Sequence, residues 1–150
     1  MKSDENARAA GDSSEQRQAE LLLISRLGQH LGVKLTKRRF PLPDGGWLEI
    51  DGTCESPMVL CEAWAHHGKP KSAQKNKVMA DAMKLLFASR LCSGDARLIL
   101  VFGDREAASH FRGNSWMSQV LHANGIEVQV MDLPEETRGV IRAAQKRQYR

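Results

Sequence analysis

An α/β fold with a mixed central sheet and helices on both faces is predicted by two features of the sequence. From Val33 to Ala65, three strand-like runs follow one another with only short turns between them, the pattern of an antiparallel meander. From Ser72 onward, helical and strand-like stretches alternate, which calls for parallel crossovers that lay helices over the sheet. The expected order is αβββαβαβα.

Each element has its own signal. Residues 1–13 are polar with no apolar period and are expected to be a disordered tail. Ser14 and Glu15 open a helix whose wide apolar face includes Ala19, Leu23, Leu27 and Leu31, and Gly32 stops it. Val33 to Pro41 is a strand carrying Lys37, Arg38 and Arg39. Pro43, Asp44, Gly45 and Gly46 then turn the chain into a hairpin. Trp47 to Gly52 alternates, with Leu48 and Ile50 on one side and Trp47, Glu49 and Asp51 on the other. Thr53 to Pro57 has the composition of a turn.

Met58 to Ala65 is a continuous apolar strand, with Leu60, Glu62 and Trp64 on one face. Gly68 and Pro70 break it, and a helix from Ser72 to Leu91 buries Val78, Ala82, Leu85 and Leu86. Ala96 to Phe102 is a buried strand and Arg105 to Phe111 a short helical turn. Ser115 to Asn124 is a helix expected to bury Trp116, Val120 and Leu121. Ile126 to Leu133 is the last strand. Pro134 starts a final helix with Glu135 and Glu136 in its first turn and a basic end.

Composition bounds the function. The 150 residues are 41% hydrophobic and 27% charged, within the range of a single soluble domain. A net charge of +4 is compatible with a nucleic-acid partner. Three cysteines leave at least one unpaired, which fits a reducing cytoplasm. No apolar run reaches about 18 residues, so neither membrane insertion nor signal-peptide export is expected. No Gly-rich phosphate loop occurs, and no G-x-S-x-G surrounds Ser115. His66 and His67 lack an evident third ligand for a zinc site. Asp104 follows a strand at the carboxyl edge of the sheet, where a loop acid is common.

Asp51 and Glu62 are the candidate chemistry. Two neighbouring strands each present one carboxylate, and a carboxylate in an apolar strand is costly unless it is paired or binds a cation. The bland alternative for Asp51 is a turn-flanking acid, because Gly52 follows it.

The element order, with Asp51 on the second strand and Glu62 on the third, resembles the PD-(D/E)xK nuclease superfamily, the restriction-endonuclease-like fold. The resemblance runs from about Glu20 to Leu133. It makes residues 14–133 a nuclease-like domain, with 134–150 as a basic C-terminal helix or tail. It implies that Asp51 and Glu62 hold Mg2+ or Mn2+. Trp64 stands where the family carries its lysine, a departure from the motif. Some members place the lysine, or a glutamine, on the following helix, which here offers Lys77 and Gln74. Glu20 on the first helix is a further candidate.

A hard divalent cation would neutralise charge on a transferring phosphate and activate water, and a nearby ammonium would stabilise that charge. The implied function is metal-dependent hydrolysis of phosphodiesters, in DNA in preference to RNA. Lys37, Arg38, Arg39, Arg142, Lys146 and Arg147 are the candidate phosphate contacts. A homodimer is compatible with cutting both strands of a duplex. Two rivals stand beside this reading. One is an inactive nuclease-fold module that binds nucleic acid or a protein. The other is a small α/β interaction module whose strand acids are structural.

Overall fold

A computed structural model describes residues 14–148. The elements are α1 (Ser14–Leu31), β1 (Thr36–Pro41), β2 (Trp47–Glu55), β3 (Met58–Trp64), α2 (Ser72–Arg90), β4 (Arg97–Phe102), α3 (Arg105–Ser109), α4 (Trp116–Ala123), β5 (Ile126–Val130) and α5 (Glu135–Gln148). The expected tail at residues 1–13 lies outside the described residues.

The five strands form one sheet in the order β1-β2-β3-β4-β5. The first three are antiparallel neighbours, and β3, β4 and β5 are parallel. This is the meander-then-crossover arrangement that the spacing of turns and helices calls for. On one face Leu60, Trp64, Leu100 and Phe102 pack with Val78, Ala82 and Leu85 of α2, Ala107 of α3 and Leu121 of α4. On the other, Val59, Cys61, Ile99 and Val101 pack with Leu23, Ile24 and Leu27 of α1 and Ile141 of α5. Helices therefore cover both faces. The C-terminal segment is no loose tail, because Ile141 and Ala144 of α5 are fully buried.

The structure corrects three local expectations. β2 does not stop at Gly52 but runs on to Glu55, and Thr53 Oγ1 donates to Thr36 O at 2.9 Å. In α4, Trp116 and Val120 face outward, 65% and 39% exposed, and the buried residues are Met117, Ser118 and Leu121. Two successive-turn positions, Met117 and Leu121, are enough to seat so short a helix, and they turn Trp116 away from the sheet.

The third correction positions the site. The β1 step from Thr36 to Arg38 is matched by the longer β2 step from Ile50 to Thr53, so β2 carries an extra residue, a β-bulge at Asp51–Gly52. The alternation that groups Asp51 with Trp47 and Glu49 ends there. Pairing of β2 with β3 also ends at Gly52↔Cys61, so the strands separate beyond that point. Asp51 fills the gap: its Oδ2 accepts from the Ala63 backbone N–H at 3.0 Å, in place of a strand carbonyl.

Candidate functional site

Glu62 is the centre of the site. It sits mid-strand in β3, 2% exposed, with its side chain on the α2 face between Leu60 and Trp64. Burial pushes its carboxyl up to about 10, helped by a side-chain hydrogen bond to Asp51 and by the charges of Asp51 and Asp81, with Lys84 acting the other way. Asp81 of α2 is raised to about 6, first by burial, with Lys84 opposing and Asp51 reinforcing the rise. Lys84 Nζ lies 2.7 Å from Glu62 Oε1. Burial works against the Lys84 charge, but Glu62, Asp81 and Asp51 outweigh it and hold the ammonium above its ordinary value.

Taken separately, the shifts of Glu62 and Lys84 point to different charge states, a neutral acid and a strengthened cation. Three carboxyls around one ammonium reconcile them. Near neutral pH Glu62 keeps its proton, since a buried carboxyl beside other acids cannot ionise cheaply. Lys84 stays charged because it faces all three acids.

The Asp51 and Glu62 carboxyls lie close enough for Asp51 to act on the Glu62 carboxyl. The candidates on α2 fare differently. Lys77 Nζ lies 5.8 Å from the centroid of the Trp64 ring, a cation–π contact, and its charge is felt at Asp81. Gln74 Oε1 accepts from the Lys71 backbone N–H at 2.9 Å, tying down the start of α2. Glu20 is half-buried on α1, whose buried side packs on the face opposite α2.

Trp64 is 4% exposed and stacks on His66 at 4.4 Å. It forms a wall under α2, and its indole nitrogen has no partner. Lys77, Asp81 and Lys84 recur at helical spacing and share one side of α2, which brings Lys84 to the acids although it was not among the sequence candidates.

The candidate phosphate contacts are largely engaged. Lys37 and Arg39 pair with Glu49 at 3.5 and 3.2 Å, and Arg38 pairs with Glu55 at 3.2 Å. Arg142 pairs with Glu135 at 2.6 Å and Arg147 with Glu15 at 2.8 Å. Such exposed pairs are weak, about 0–1 kcal/mol, so a phosphate can compete for these cations.

Among the described residues, no group of three or more His, Cys, Asp or Glu is disposed to hold a metal ion. Carboxyl oxygens are the donors that a hard cation takes. Asp51 and Glu62 lie close together with Asp81 near, and burial first, then these neighbouring acids, raise Glu62 to about 10.

The fold and site together define an α/β protein with a mixed five-stranded sheet and an acid pair at a strand bulge, Glu62 buried and Asp51 half-buried. Comparison with protein-family models, curated proteins and solved structures finds no match. No helix among the described residues is long and apolar enough to cross a membrane.

Proposed function

We propose that this chain is a metal-dependent nuclease of the PD-(D/E)xK kind that hydrolyses phosphodiester bonds of DNA. The observation that carries the reading is the Asp51–Glu62 carboxyl pair at the separation of β2 from β3, with Glu62 raised to about 10. Asp51 and Glu62 would hold Mg2+ or Mn2+, which supplies Lewis-acid stabilisation of the phosphate and a more acidic water. The protein's own part is to orient the acids. The Ala63 amide fixes Asp51, and burial between Leu60 and Trp64 fixes Glu62. Lys84 takes the role for which Lys77 and Gln74 were the sequence candidates, a cation held against the second acid. With a metal ion held by Glu62, the Lys84 ammonium would be free to face the phosphate.

One observation favours the rival reading of an inactive nuclease-fold module: Lys84 already satisfies Glu62 and so competes with a metal ion for it. Purified protein incubated with plasmid and single-stranded DNA, with Mg2+ or Mn2+ and with chelator, separates the two. Cleavage that needs the ion and disappears in Asp51→Asn and Glu62→Gln supports the nuclease. Binding without cleavage supports the inactive module.

A further inference from the structure

A second polar cluster lies just beyond the carboxyl ends of the parallel strands β3 and β4, where α/β sheets commonly bind ligands. It surrounds a cavity of about 490 Å3 lined by His67, Asp104, Arg138, Arg142, Gln145 and Lys146, among others. None of these residues belongs to the acid pair.

The cluster is built, and it is incomplete. Asp104 Oδ2 accepts from the backbone N–H of Gly68 at 2.8 Å and of Ala107 at 3.1 Å. Gly68 has φ +82, a conformation that suits glycine, and this brings its N–H to the acid. Asp104 Oδ1 lies 3.4 Å from His67 Nδ1 and 3.4 Å from Arg138 Nη2. Gln145 clamps the histidine backbone, accepting from His67 N at 2.7 Å and donating to His67 O at 3.1 Å.

The His67 side chain is 7% exposed, so its ring is fixed and more than nine-tenths buried. Its Nε2 is nevertheless buried without a partner, as is Arg138 Nε. Buried polar atoms are ordinarily satisfied, so two orphans on residues that line one cavity point to an absent partner. Arg142 and Lys146 follow Arg138 at successive turns of α5 and add charge. The lining cations Arg138, Arg142 and Lys146 outnumber the lining acids Asp104 and Glu106.

The donor and acceptor pattern selects the ligand. Burial holds His67 below its ordinary value despite Asp104, so the ring is neutral near pH 7. With Nδ1–H directed at Asp104, Nε2 is then an acceptor. The missing group must offer oxygens to the arginines and a hydroxyl hydrogen to Nε2. A carboxylate has no such hydrogen at neutral pH. A phosphate monoester, whose second pKa is about 6, offers both in its monoanion, which is still about a tenth of the population at pH 7. The volume falls in the range of about 300–1,000 Å3 usual for small-molecule sites, larger than inorganic phosphate alone requires.

We propose that this cavity is a separate binding site for a phosphate monoester, with Arg138 holding phosphate oxygens and His67 Nε2 engaging the phosphate hydroxyl. The monoester could be a free nucleotide or the 5′-phosphate end of an oligonucleotide.

The test is titration of the full chain with inorganic phosphate, adenosine monophosphate and adenosine, read by calorimetry and by the His67 ring resonance in NMR. Phosphate and the monophosphate should shift that resonance saturably, and adenosine should not. Arg138→Gln should weaken binding about tenfold or more. Lys146→Gln, which disturbs none of the contacts around Asp104, should weaken it less, and Asp51→Asn should leave it unchanged. Competition by 5′-phosphorylated but not 5′-hydroxyl oligonucleotide would assign the monoester to a nucleic-acid end. Competition by the mononucleotide alone would assign it to a free nucleotide. The proposal is overturned if neither phosphate nor the monophosphate moves His67 at tens of millimolar. It is overturned equally if the shift persists undiminished in both Arg138→Gln and Lys146→Gln.

Discussion

Lys84 Nζ lies 2.7 Å from Glu62 Oε1, so α2 brings a cation to an acid buried in β3, whose neighbouring position, 64, holds a tryptophan. The pair predicts a separation between stability and activity. Lys84 is one-third exposed and Glu62 can take up a proton when left alone, so Lys84→Ala should cost only about 1 kcal/mol of stability. If Lys84 stabilises developing charge on phosphate, the same change should lower metal-dependent cleavage by about 10²–10³. Lys75→Ala should be nearly silent. Lys77→Ala, which removes a cation–π contact with Trp64, should have an intermediate effect. Cleavage rates and melting curves on the three variants check this. Equal activity losses in all three would remove Lys84 from the mechanism.

The raised carboxyls predict a pH dependence of stability. Glu62 moves from 4.5 unfolded to about 10 folded, so between those values the folded protein binds more protons than the unfolded chain. Stability therefore falls as pH rises through that window. Asp81 contributes in the same direction, but only between 3.8 and about 6. His67, lowered from 6.5, acts oppositely and only below that value. From about pH 7 to about pH 9, Glu62 is therefore left as the main source of the decline. Glu62→Gln keeps the shape and removes the charge. It should flatten the decline and raise the melting temperature at about pH 9 by several degrees, given about 2–4 °C per kcal/mol for a chain of this size. Mg2+ should raise the wild-type melting temperature there and leave Glu62→Gln unchanged. A wild-type protein equally stable at both pH values would contradict the buried charge cluster.

How much of this could be read from the sequence depended on the kind of signal. β3 was legible because Glu62 interrupts an otherwise apolar run, and its partnership with an acid on β2 followed from strand order. Period-two counting gave no sign of the irregularity at Asp51, because a β-bulge leaves no trace in the alternation of residue types. Thr53 and Cys54 read as a turn by composition, yet Thr53 pairs with both Thr36 and Leu60 as a strand residue. Lys84 was within reach, since Lys77, Asp81 and Lys84 lie on successive turns of one helix face. The His67–Asp104–Arg138 cluster was not, because β3, β4 and α5 must first be assembled to bring its members together.

The cations of β1 predict a modest, salt-dependent share of nucleic-acid binding. Lys37 and Arg39 both pair with Glu49, and hydrogen bonding to Arg39 leads the lowering of that carboxyl. Phosphate must displace Glu49 to reach them. Lys37→Gln combined with Arg39→Gln should weaken DNA binding and reduce the salt slope by about 0.9 for each phosphate left unneutralised. Glu49→Gln should do the reverse, strengthening binding by releasing both cations. Fluorescence anisotropy across a salt series reads both effects. If Glu49→Gln leaves affinity unchanged, these cations do not meet phosphate.

Gly52 sets the geometry on which the acid pair depends. A Cβ at this position would stand 2.7 Å from Cys61 Sγ and 3.0 and 3.1 Å from Ile24 Cγ2 and Cδ1. These neighbours belong to the buried layer between the sheet and α1, where neither can move freely. Gly52→Ala should therefore cost about 1–3 kcal/mol through overpacking. The strain would be relieved most easily by pushing β2 away from β3 at the bulge, since pairing already ends at Gly52↔Cys61. That movement draws Asp51 Oδ2 away from the Ala63 amide, now 3.0 Å distant, and so parts it from Glu62. Metal-dependent cleavage should fall by more than the reduced stability explains, although Gly52 bears no functional group. Cys61→Ala added to Gly52→Ala removes the clashing sulfur while roughly conserving volume. The double variant should recover most of the melting temperature and part of the activity. Melting and cleavage measured on the two single variants and the double one form a closed cycle. A Gly52→Ala protein that melts and cleaves like the wild type would show that Asp51 is not positioned by this close approach.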